Sequence, residues 1–471
     1  MKRIHLIGIG GTAMATLAAM LKRRGFAVSG SDRDVYPPMS HRLAAEGIAV
    51  LPGYDASNIT EELDLVIIGN AVSRGNPEVE EVLARKFRYC SLPEAIRDQF
   101  LWAARSIVVT GTHGKTTSTA LAGWLLTYGG LDPTLFVGGV AANFDSSYRI
   151  GRGRDFVIEG DEYDSAFFDK TAKFLKYLPD IVVVGNIEFD HADIYGSLEE
   201  IRVAFRRLVN LIPRTGLLLI GTDSEEAAAL ASWAHCPVET FGLADTATWH
   251  AYDIAVTPDG TSFRVRRQNE RYGGFQIPML GGHNVLNALA SLAIGRAVGL
   301  DAVGMGEGLA AFRGIKRRLE IRGRAAGVTV FDDFAHHPTA VARTLAAVRQ
   351  AYPERRIWAV FEPRSSTACR RVFQQPFAFA FRDADEAVVA AVHRAALPDA
   401  DRLCPEQLVE EIRAHGTGAR YVPGVDEIVA TIVRERADGD LVIVMSNGAF
   451  GNIHEKLLAA LAIAEERDAR P

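Results

Sequence analysis

The sequence predicts an α/β protein built from three domains. At 471 residues, the chain exceeds what one hydrophobic core usually supports, so several domains are expected. Strand-like apolar runs alternate with helical runs along most of the chain, which is typical of parallel sheets with crossover helices. This alternation restarts twice, and the restarts predict domains at residues 1–104, 105–315 and 316–471.

The first domain opens with a glycine-rich turn between a strand and a helix. "IHLIGIG" predicts the strand and "FAVSGSD" the next one, with Asp32 at its end. Gly8, Gly10 and Ala13 fit the fingerprint of a Rossmann-like nucleotide-binding domain, in which the carboxylate at the end of the second strand binds a ribose. The turn suits either a nicotinamide dinucleotide or another diphosphate-linked ligand. An NAD-dependent oxidoreductase is therefore one hypothesis.

The second domain opens with "SIVVTGTHGKTTSTALAGWLL", residues 106–126. The common phosphate loop needs a glycine where this chain has Val109, and the first glycine is Gly111, so the loop is two residues short. The order of strand, glycines, lysine, hydroxyl and helix still suits phosphate. Lys115, which we expect to face solvent, would meet the outer phosphates, and Thr116 would bind Mg²⁺. The domain is therefore predicted to be P-loop ATPase-like, and the alternating residues 250–280 predict a small antiparallel side sheet.

Acidic side chains follow two further strands of this domain. They stand in "VIEGDEYDS" and "NIEFDHAD", and comprise Glu159, Asp161, Glu162, Asp164, Glu188, Asp190 and Asp193, with His191 among them. Because the carboxyl ends of parallel strands meet at one edge of a sheet, these groups are expected to lie near the phosphate loop. One or two Mg²⁺ ions are predicted there.

The third domain, also predicted to be Rossmann-like, carries charged residues after its strands. These are Asp332, Asp333, His336 and His337 in "DDFAHHP", Arg364 in "FEPRSS", and Arg317 and Arg318 at the junction with the middle domain. Together they predict the far wall of a cleft whose closure excludes water and brings cations onto a transferring phosphoryl group.

Composition limits the function classes. A formal charge of −6 and a pI near 6.1 argue against a general nucleic-acid or anionic-membrane binder. The four cysteines are far apart, which argues against a disulfide framework and suits a cytoplasmic protein.

Five segments, "GTHGKTT", "NIEFDHAD", "GGHNVLNA", "RRLEIRG" and "DDFAHHPTA", resemble the Mur ligase superfamily in order along the whole chain. The resemblance implies a UDP-sugar-binding first domain, an ATP-binding central domain and a C-terminal ligase domain. It implies an amide ligase in which the terminal phosphate of ATP activates a carboxylate as an acyl-phosphate, with ADP and phosphate as products.

The resemblance also implies roles for individual residues. The expected catalytic residues are Lys115, Glu159, His191 and Arg318, and the expected Mg²⁺ ligands are Thr116, Glu159 and His191. ATP is expected at Gly111, Thr112, His113, Gly114, Lys115, Thr116, Thr117, His283, Asn284, Arg318, Asp333 and His336. The UDP-sugar is expected at Gly10, Gly11, Ser31 and Asp32.

Within the superfamily, "GSDRDVYPPMS", "EYDSAFFDKTAKF", "EPRSSTA" and "MSNGAFGNIH" are similar to members that act in peptidoglycan recycling. Those members join UDP-N-acetylmuramate to L-alanyl-γ-D-glutamyl-meso-diaminopimelate. Arg364 is the first candidate for a clamp on the peptide carboxylates, since a guanidinium binds a carboxylate through two hydrogen bonds. Ligation of L-alanine to the same UDP-sugar, an oxidoreductase and a nucleotide-gated binding protein are the alternatives.

Overall fold

Three mostly parallel sheets follow one another along the chain and confirm the predicted three-domain α/β fold. The computed structural model describes residues 1–36, 39–192, 194–393 and 397–468. The exact limits proposed for the three domains stay predictions. Among the described residues, no helix combines the length and apolar character needed to cross a bilayer.

The first sheet is fully parallel, in the order β3-β2-β1-β4-β5. Its strands are β1 (Arg3–Ile7), β2 (Ala27–Asp32), β3 (Ala49–Pro52), β4 (Leu65–Ile68) and β5 (Tyr89–Ser91). Its helices are α1 (Thr12–Arg23), α2 (Met39–Ala45), α3 (Pro77–Ala84) and α4 (Leu92–Ile96). The strand order reverses direction at β1, so the glycine turn after β1 lies at a topological switch point, where such folds bind ligands.

The second sheet has ten strands, in the order β17-β16-β15-β14-β13-β12-β6-β9-β7-β8. Its first part is β6 (Arg105–Thr110), α5 (Lys115–Tyr128), β7 (Thr134–Ala141), β8 (Ser146–Arg149), β9 (Asp155–Gly160), a hairpin of β10 (Asp164–Ala166) and β11 (Asp169–Ala172), and β12 (Ile181–Val184). It continues with α6 (Leu198–Val209), β13 (Leu217–Gly221), α7 (Glu225–Ala228), β14 (Val238–Gly242), β15 (Trp249–Thr257), β16 (Gly260–Arg267), β17 (Glu270–Ile277), α8 (Gly282–Ala297) and α9 (Ala302–Ala310).

Strand β6 lies between β9 and β12, which brings the phosphate loop between the two acidic segments. Its residues alternate between two apolar clusters: Val109 packs in the cluster that contains α5 and α8, and Val108 in the cluster that contains α6. This alternation is what a strand covered by helices on both faces requires. The predicted side sheet is present, and its strands β15 to β17 extend the main sheet through β14.

The hairpin β10–β11 packs on the first domain. The rings of Phe168 and Tyr89 meet edge to face with centroids 5.0 Å apart, and Phe167 packs against the apolar cluster that includes Val79 and Val82. The first and middle domains are joined further by the rings of Phe100 and Phe156, whose centroids lie 6.0 Å apart.

The third sheet has the order β18-β19-β23-β20-β21-β22, with only β18 antiparallel to its neighbour among the described strands. Its strands are β18 (Glu320–Ala325), β19 (Val328–Asp333), β20 (Ile357–Phe361), β21 (Glu386–Val389), β22 (Gly418–Tyr421) and β23 (Leu441–Met445). Its helices are α10 (Pro338–Ala351), α11 (Gln374–Ala380), α12 (Pro405–Ala414), α13 (Val425–Glu435) and α14 (Ile453–Asp468). Short 3₁₀ or π turns complete the chain.

Candidate active site

The short loop after β6 takes a conformation that its glycines permit. Gly111 has a φ of 137° and Gly114 a φ of 82°, values that residues with a side chain rarely adopt. A Cβ at Gly114 would lie 2.5 Å from Asn287 Oδ1. Asn186, just after β12, holds the loop by accepting from the Thr112 N–H at 2.9 Å through its carbonyl and from the His113 N–H at 2.8 Å through its side chain.

The expectation that Lys115 faces solvent is wrong. Its side chain is 12% exposed, and its Nζ lies 2.8 Å from Glu162 Oε2. Nζ also donates to the Gly111 carbonyl at 2.7 Å. Burial alone would lower the pKa of Lys115, but the charges of Glu162 and Asp161 outweigh burial and raise it. The lysine is therefore a cation held inside the loop.

Glu162 also contacts His191. His191 Nε2 lies 3.3 Å from Glu162 Oε1. The backbone of His191 has a φ of 52°. Burial would lower the pKa of His191, but the hydrogen bond and charge of Glu162 raise it. The sequence places Glu162 in an acidic cluster without singling it out, because its contacts depend on how two loops fold against each other.

Thr116 and Glu159, two of the residues expected to bind Mg²⁺, lie together. The Thr116 hydroxyl donates to Glu159 Oε1 at 2.8 Å, and the Gly138 N–H donates to Oε2 at 2.7 Å. Burial, and then the charge of Asp161, raise the pKa of the Glu159 carboxyl. A nearby cation would stabilise its ionised form, and hydroxyl and carboxylate oxygens are ligands that Mg²⁺ prefers. The donor set therefore fits this ion. Asp193 lies outside the described residues.

The first turn of α8 carries His283 and Asn284. The Asn284 side chain donates to the Leu280 carbonyl at 2.9 Å and lies 3.1 Å from His283 Nε2. Asn287, one turn later, donates to Asn284 Oδ1 at 3.0 Å and accepts from the Ser118 hydroxyl at 2.9 Å. Asn287 thus ties α8 to α5. Its spacing of three residues from Asn284 on a helix is the sequence signal that points to it.

The charge of Arg318, from the third domain, acts on His283, and Asp333 lies near Arg318. Burial, and then the charges of Arg343 and Arg318, lower the pKa of His283 to about 4. The Arg318 guanidinium also lies 5.1 Å from the centre of the Phe334 ring. Burial raises the pKa of Asp333, while Arg318 opposes that rise. Asp333 accepts from the Leu319 N–H and the Ala335 N–H, both at 2.8 Å.

A cleft of about 570 Å³ separates the middle and third domains. Asp190 and His191 line one side, and His336, Arg364 and Thr367 line the other. Arg364 is half-buried, with one guanidinium nitrogen 3.5 Å from Glu362 Oε1. Of the residues predicted to form the far wall of a cleft, His336 and Arg364 line this cavity. The others are not among its described lining residues: Arg317, Arg318, Asp332, Asp333 and His337.

Arg364 depends on a glycine beside it. A Cβ at Gly448 would lie 2.1 Å from Arg364 Nε, so the guanidinium lies directly against the backbone after β23. The same nitrogen that faces Glu362 lies 3.5 Å from His393 Nδ1. These long contacts leave the guanidinium available to a stronger acceptor such as a carboxylate.

Asp32 holds the glycine turn of the first domain. Its Oδ2 accepts from the Gly10 N–H at 2.8 Å, and its Oδ1 accepts from the Tyr54 hydroxyl at 3.0 Å. Gly11 occupies the N-cap position of α1. The Ser31 side chain points elsewhere, because it is fully buried and donates to Glu78 at 2.5 Å.

The lysines of the β10–β11 hairpin segment pair with aspartates of the same segment. Lys170 pairs with Asp164 at 2.6 Å and Lys173 with Asp161 at 3.3 Å. Lys173 also lies 3.9 Å from the centre of the Tyr163 ring. These lysines therefore serve the local structure. Among the described residues that line the cleft, Arg364 is the one arginine or lysine.

Three family models match the chain in succession: the Mur ligase family catalytic domain at residues 3–100, the Mur ligase middle domain at 109–295, and the Mur ligase glutamate ligase domain at 317–448. The UDP-N-acetylmuramate–L-alanyl-γ-D-glutamyl-meso-2,6-diaminoheptandioate ligase of Escherichia coli K12 is 40% identical over 98% of both chains.

Two solved structures cover nearly the whole chain. A murein peptide ligase from Psychrobacter arcticus is 33% identical, with a TM-score of 0.73 over 98% of this chain and 99% of its own. A UDP-N-acetylmuramate–alanine ligase from Thermotoga maritima is 25% identical, with a TM-score of 0.80 over 100% of both chains. The three family models match most of the chain, and a member of the family is 40% identical over 98% of it, so the chain belongs to the Mur ligase family.

Proposed function

We propose that the protein joins the carboxylate of UDP-N-acetylmuramate to the amine of L-alanyl-γ-D-glutamyl-meso-diaminopimelate, using ATP. The observation that carries this proposal is the position of His191. It contacts Glu162, the partner of Lys115 in the phosphate loop, and it also lines the cleft that contains Arg364. A phosphoryl group at the loop and an amine in the cleft would therefore meet beside it.

The residues of the loop would bind and polarise ATP. Backbone N–H groups at the start of α5 would bind the phosphates, and Lys115 would exchange Glu162 for the transferring phosphoryl group. Thr116 and Glu159 would hold one Mg²⁺ and His191 would help to hold a second, and these ions would supply positive charge to the phosphates. Arg318, Asp333, His283 and Asn284 would surround the rest of the nucleotide.

The reaction then proceeds in two displacements. A carboxylate oxygen of the sugar attacks the γ-phosphorus, and the bond to ADP breaks, giving an acyl-phosphate. The peptide amine attacks the acyl carbon, phosphate leaves, and the amine loses a proton as the amide forms. Positioning and electrostatic stabilisation are the main contributions that such a site offers.

The glycine turn of the first domain would hold the UDP-sugar. The N-terminus of α1 begins at the switch point of the sheet with Gly10 and Gly11 preceding it, an arrangement that suits a diphosphate. Asp32 fixes this turn through Gly10.

The peptide acceptor is favoured over L-alanine by sequence and by the cleft. The relative named for the tripeptide reaction is 40% identical over 98% of the chain, and the cleft of about 570 Å³ presents Arg364. Both ligase classes share the fold, as the TM-scores show, so fold similarity does not separate them. Consumption of ATP and the widely spaced cysteines suit a cytoplasmic role in peptidoglycan recycling.

An assay of ADP release tests this function. We expect ADP to form only with UDP-N-acetylmuramate and the tripeptide together, at a kcat/KM far above that with L-alanine. A higher kcat/KM with L-alanine would make the protein the biosynthetic alanine ligase. ATP binding without product would indicate a nucleotide-gated binding protein, and substrate-dependent oxidation of NADH an oxidoreductase.

A further inference from the structure

Two imidazoles from different domains face one carboxylate beside the phosphate loop. His113 belongs to the loop, Glu188 follows β12, and His337 is the N-cap of α10. One ligand atom from each lies within 4.8 Å of the other two. The two histidine rings have centroids 4.7 Å apart, and His113 Nε2 is 3.3 Å from Glu188 Oε2.

The contacts of His337 show which ring nitrogen carries the proton and which one offers an electron pair. Its Nε2 lies 3.3 Å from the Phe189 carbonyl, and since a carbonyl can only accept, Nε2 carries the proton. Nδ1 is then an acceptor, 3.7 Å from Glu188 Oε2. Its present donor is the Thr339 N–H at 3.3 Å, a long bond. A histidine that binds a metal through one ring nitrogen usually donates the N–H of its other ring nitrogen to a backbone carbonyl or a carboxylate. His337 has such a donor in its Nε2–H.

The protonation states of the group also suit a cation. Burial, and then the charge of His113, lower the pKa of His337 to about 4. Burial would raise the pKa of Glu188, but His113 and Thr339 outweigh burial and hold it at about 2. A neutral imidazole and an ionised carboxylate therefore face each other at neutral pH, and these are the forms that bind metals.

We propose that His113, Glu188 and His337 bind a divalent transition-metal ion of the Zn²⁺ or Co²⁺ type. Two imidazole nitrogens and one carboxylate are a known ligand set for Zn²⁺, whereas Mg²⁺ prefers oxygen ligands alone. This site is separate from the oxygen pair of Thr116 and Glu159, and the proposal does not depend on the substrates of the enzyme. A bound ion would tie the phosphate loop to the first turn of α10.

Titration with CoCl₂ in the presence of excess Mg²⁺ tests the site, because Mg²⁺ then occupies the oxygen ligands of Thr116 and Glu159. We expect one Co²⁺ per chain, with visible absorption bands of nitrogen coordination. His337→Asn, which keeps an N-cap side chain, and Glu188→Gln should each weaken Co²⁺ binding at least about tenfold, the minimum seen when even an outer-shell partner is removed. Circular dichroism checks that both variants fold.

The matched control is His235→Asn, at an exposed position of the middle domain, and it should bind Co²⁺ as the wild type does. Equal Co²⁺ affinity in the wild type, His337→Asn and Glu188→Gln would overturn the proposal and leave the group as a hydrogen-bonded contact between two domains. Loss of the absorption bands in His191→Asn, but not in His337→Asn, would also overturn the proposal, because it would assign the Co²⁺ ion to His191.

Discussion

Lys115 and Glu162 form a buried ion pair at the carboxyl edge of the middle sheet, with Nζ 2.8 Å from Oε2. The pair joins the loop after β6 to the loop after β9. A nucleotide phosphate that binds Lys115 would compete with Glu162 for Nζ. Glu162 has a second partner in His191, whose Nε2 lies 3.3 Å from its Oε1.

This pair predicts that the role of Lys115 in catalysis and its role in stability can be separated. Lys115→Met, which keeps side-chain volume, should abolish ligation because the charge on the transferring phosphoryl group is no longer neutralised. It should also cost about 3–5 kcal/mol of unfolding free energy, because Glu162 is left buried without its cation. Urea unfolding and ADP release measure the two effects.

The double variant Lys115→Met/Glu162→Gln should regain most of the stability and none of the activity. Turnover close to normal in either variant would show that the loop does not act on phosphate.

Glu159 and His191 predict the Mg²⁺ dependence of the reaction. Glu159→Gln keeps one oxygen that can accept from the Gly138 N–H, and its NH₂ can donate to the Thr116 hydroxyl, but it loses the charge that a hard cation needs. The Mg²⁺ concentration for half-maximal rate should rise at least about tenfold in Glu159→Gln and in His191→Ala. Asp145→Asn, a change at a side chain that is 81% exposed, is the control. If both site variants keep the Mg²⁺ requirement of the wild type, these residues are ordinary loop groups.

Asp32 predicts that the two nucleotides bind independently. Asp32→Ala removes the acceptor of the Gly10 N–H and should weaken UDP-N-acetylmuramate while leaving ATP affinity nearly unchanged, because the two nucleotides are assigned to different domains. Calorimetric titration of each ligand alone measures this, with the exposed neighbour Asp34→Ala as control. Equal losses for both nucleotides, or NADH binding to the wild type, would return the oxidoreductase hypothesis.

Arg364 predicts acceptor preference. Arg364→Lys should lose part of the preference for the tripeptide over L-alanine, because an ammonium cannot reproduce the two parallel hydrogen bonds of a guanidinium. The expected fall in kcat/KM for the tripeptide is about tenfold, against little change for L-alanine. Arg382→Lys, whose side chain is 72% exposed, is the control. A fall of the same size for both acceptors would give Arg364 a general role instead.

His283 predicts a pH dependence of stability. Its pKa of about 4 lies below the ordinary value of 6.5, so the folded protein favours the neutral ring. This contribution is fully present above pH 6.5 and is lost as the pH falls from 6.5 to 4. It amounts to about 3 kcal/mol at most. His283→Gln keeps an acceptor for Asn284 and should lose less unfolding free energy between pH 7 and pH 4.5 than the wild type. Identical losses in urea unfolding would contradict the assignment.

The parts of the site that follow from local sequence were predictable. The loop at Gly111 to Lys115 is encoded by an apolar run, glycines and a helix start within a few residues, and the structure has them in that order. The burial of Lys115 was not predictable, because it depends on Glu162, which follows a strand some fifty residues away along the chain. Only the sheet order, with β9 beside β6, brings these two residues together.

The same distinction explains the hairpin and the interdomain group. Nothing in the local sequence around Phe168 says that the hairpin packs on Tyr89 of the first domain. His113 lies in the phosphate loop and His337 at the N-cap of α10, in two segments far apart along the chain. Their contact arises because the third domain closes on the second, and closure is a property of surfaces rather than of periodicity.

Two threonines of the third domain meet carboxylates of the middle domain: Thr339 donates to Glu188 at 2.6 Å, and Thr367 donates to Asp190. Neutral hydroxyls carry no net charge for mobile ions to screen, in contrast to the exposed ion pairs elsewhere on the protein. These two contacts should therefore be insensitive to ionic strength. At higher salt these two contacts should keep their strength, while contacts made by opposite charges weaken around them.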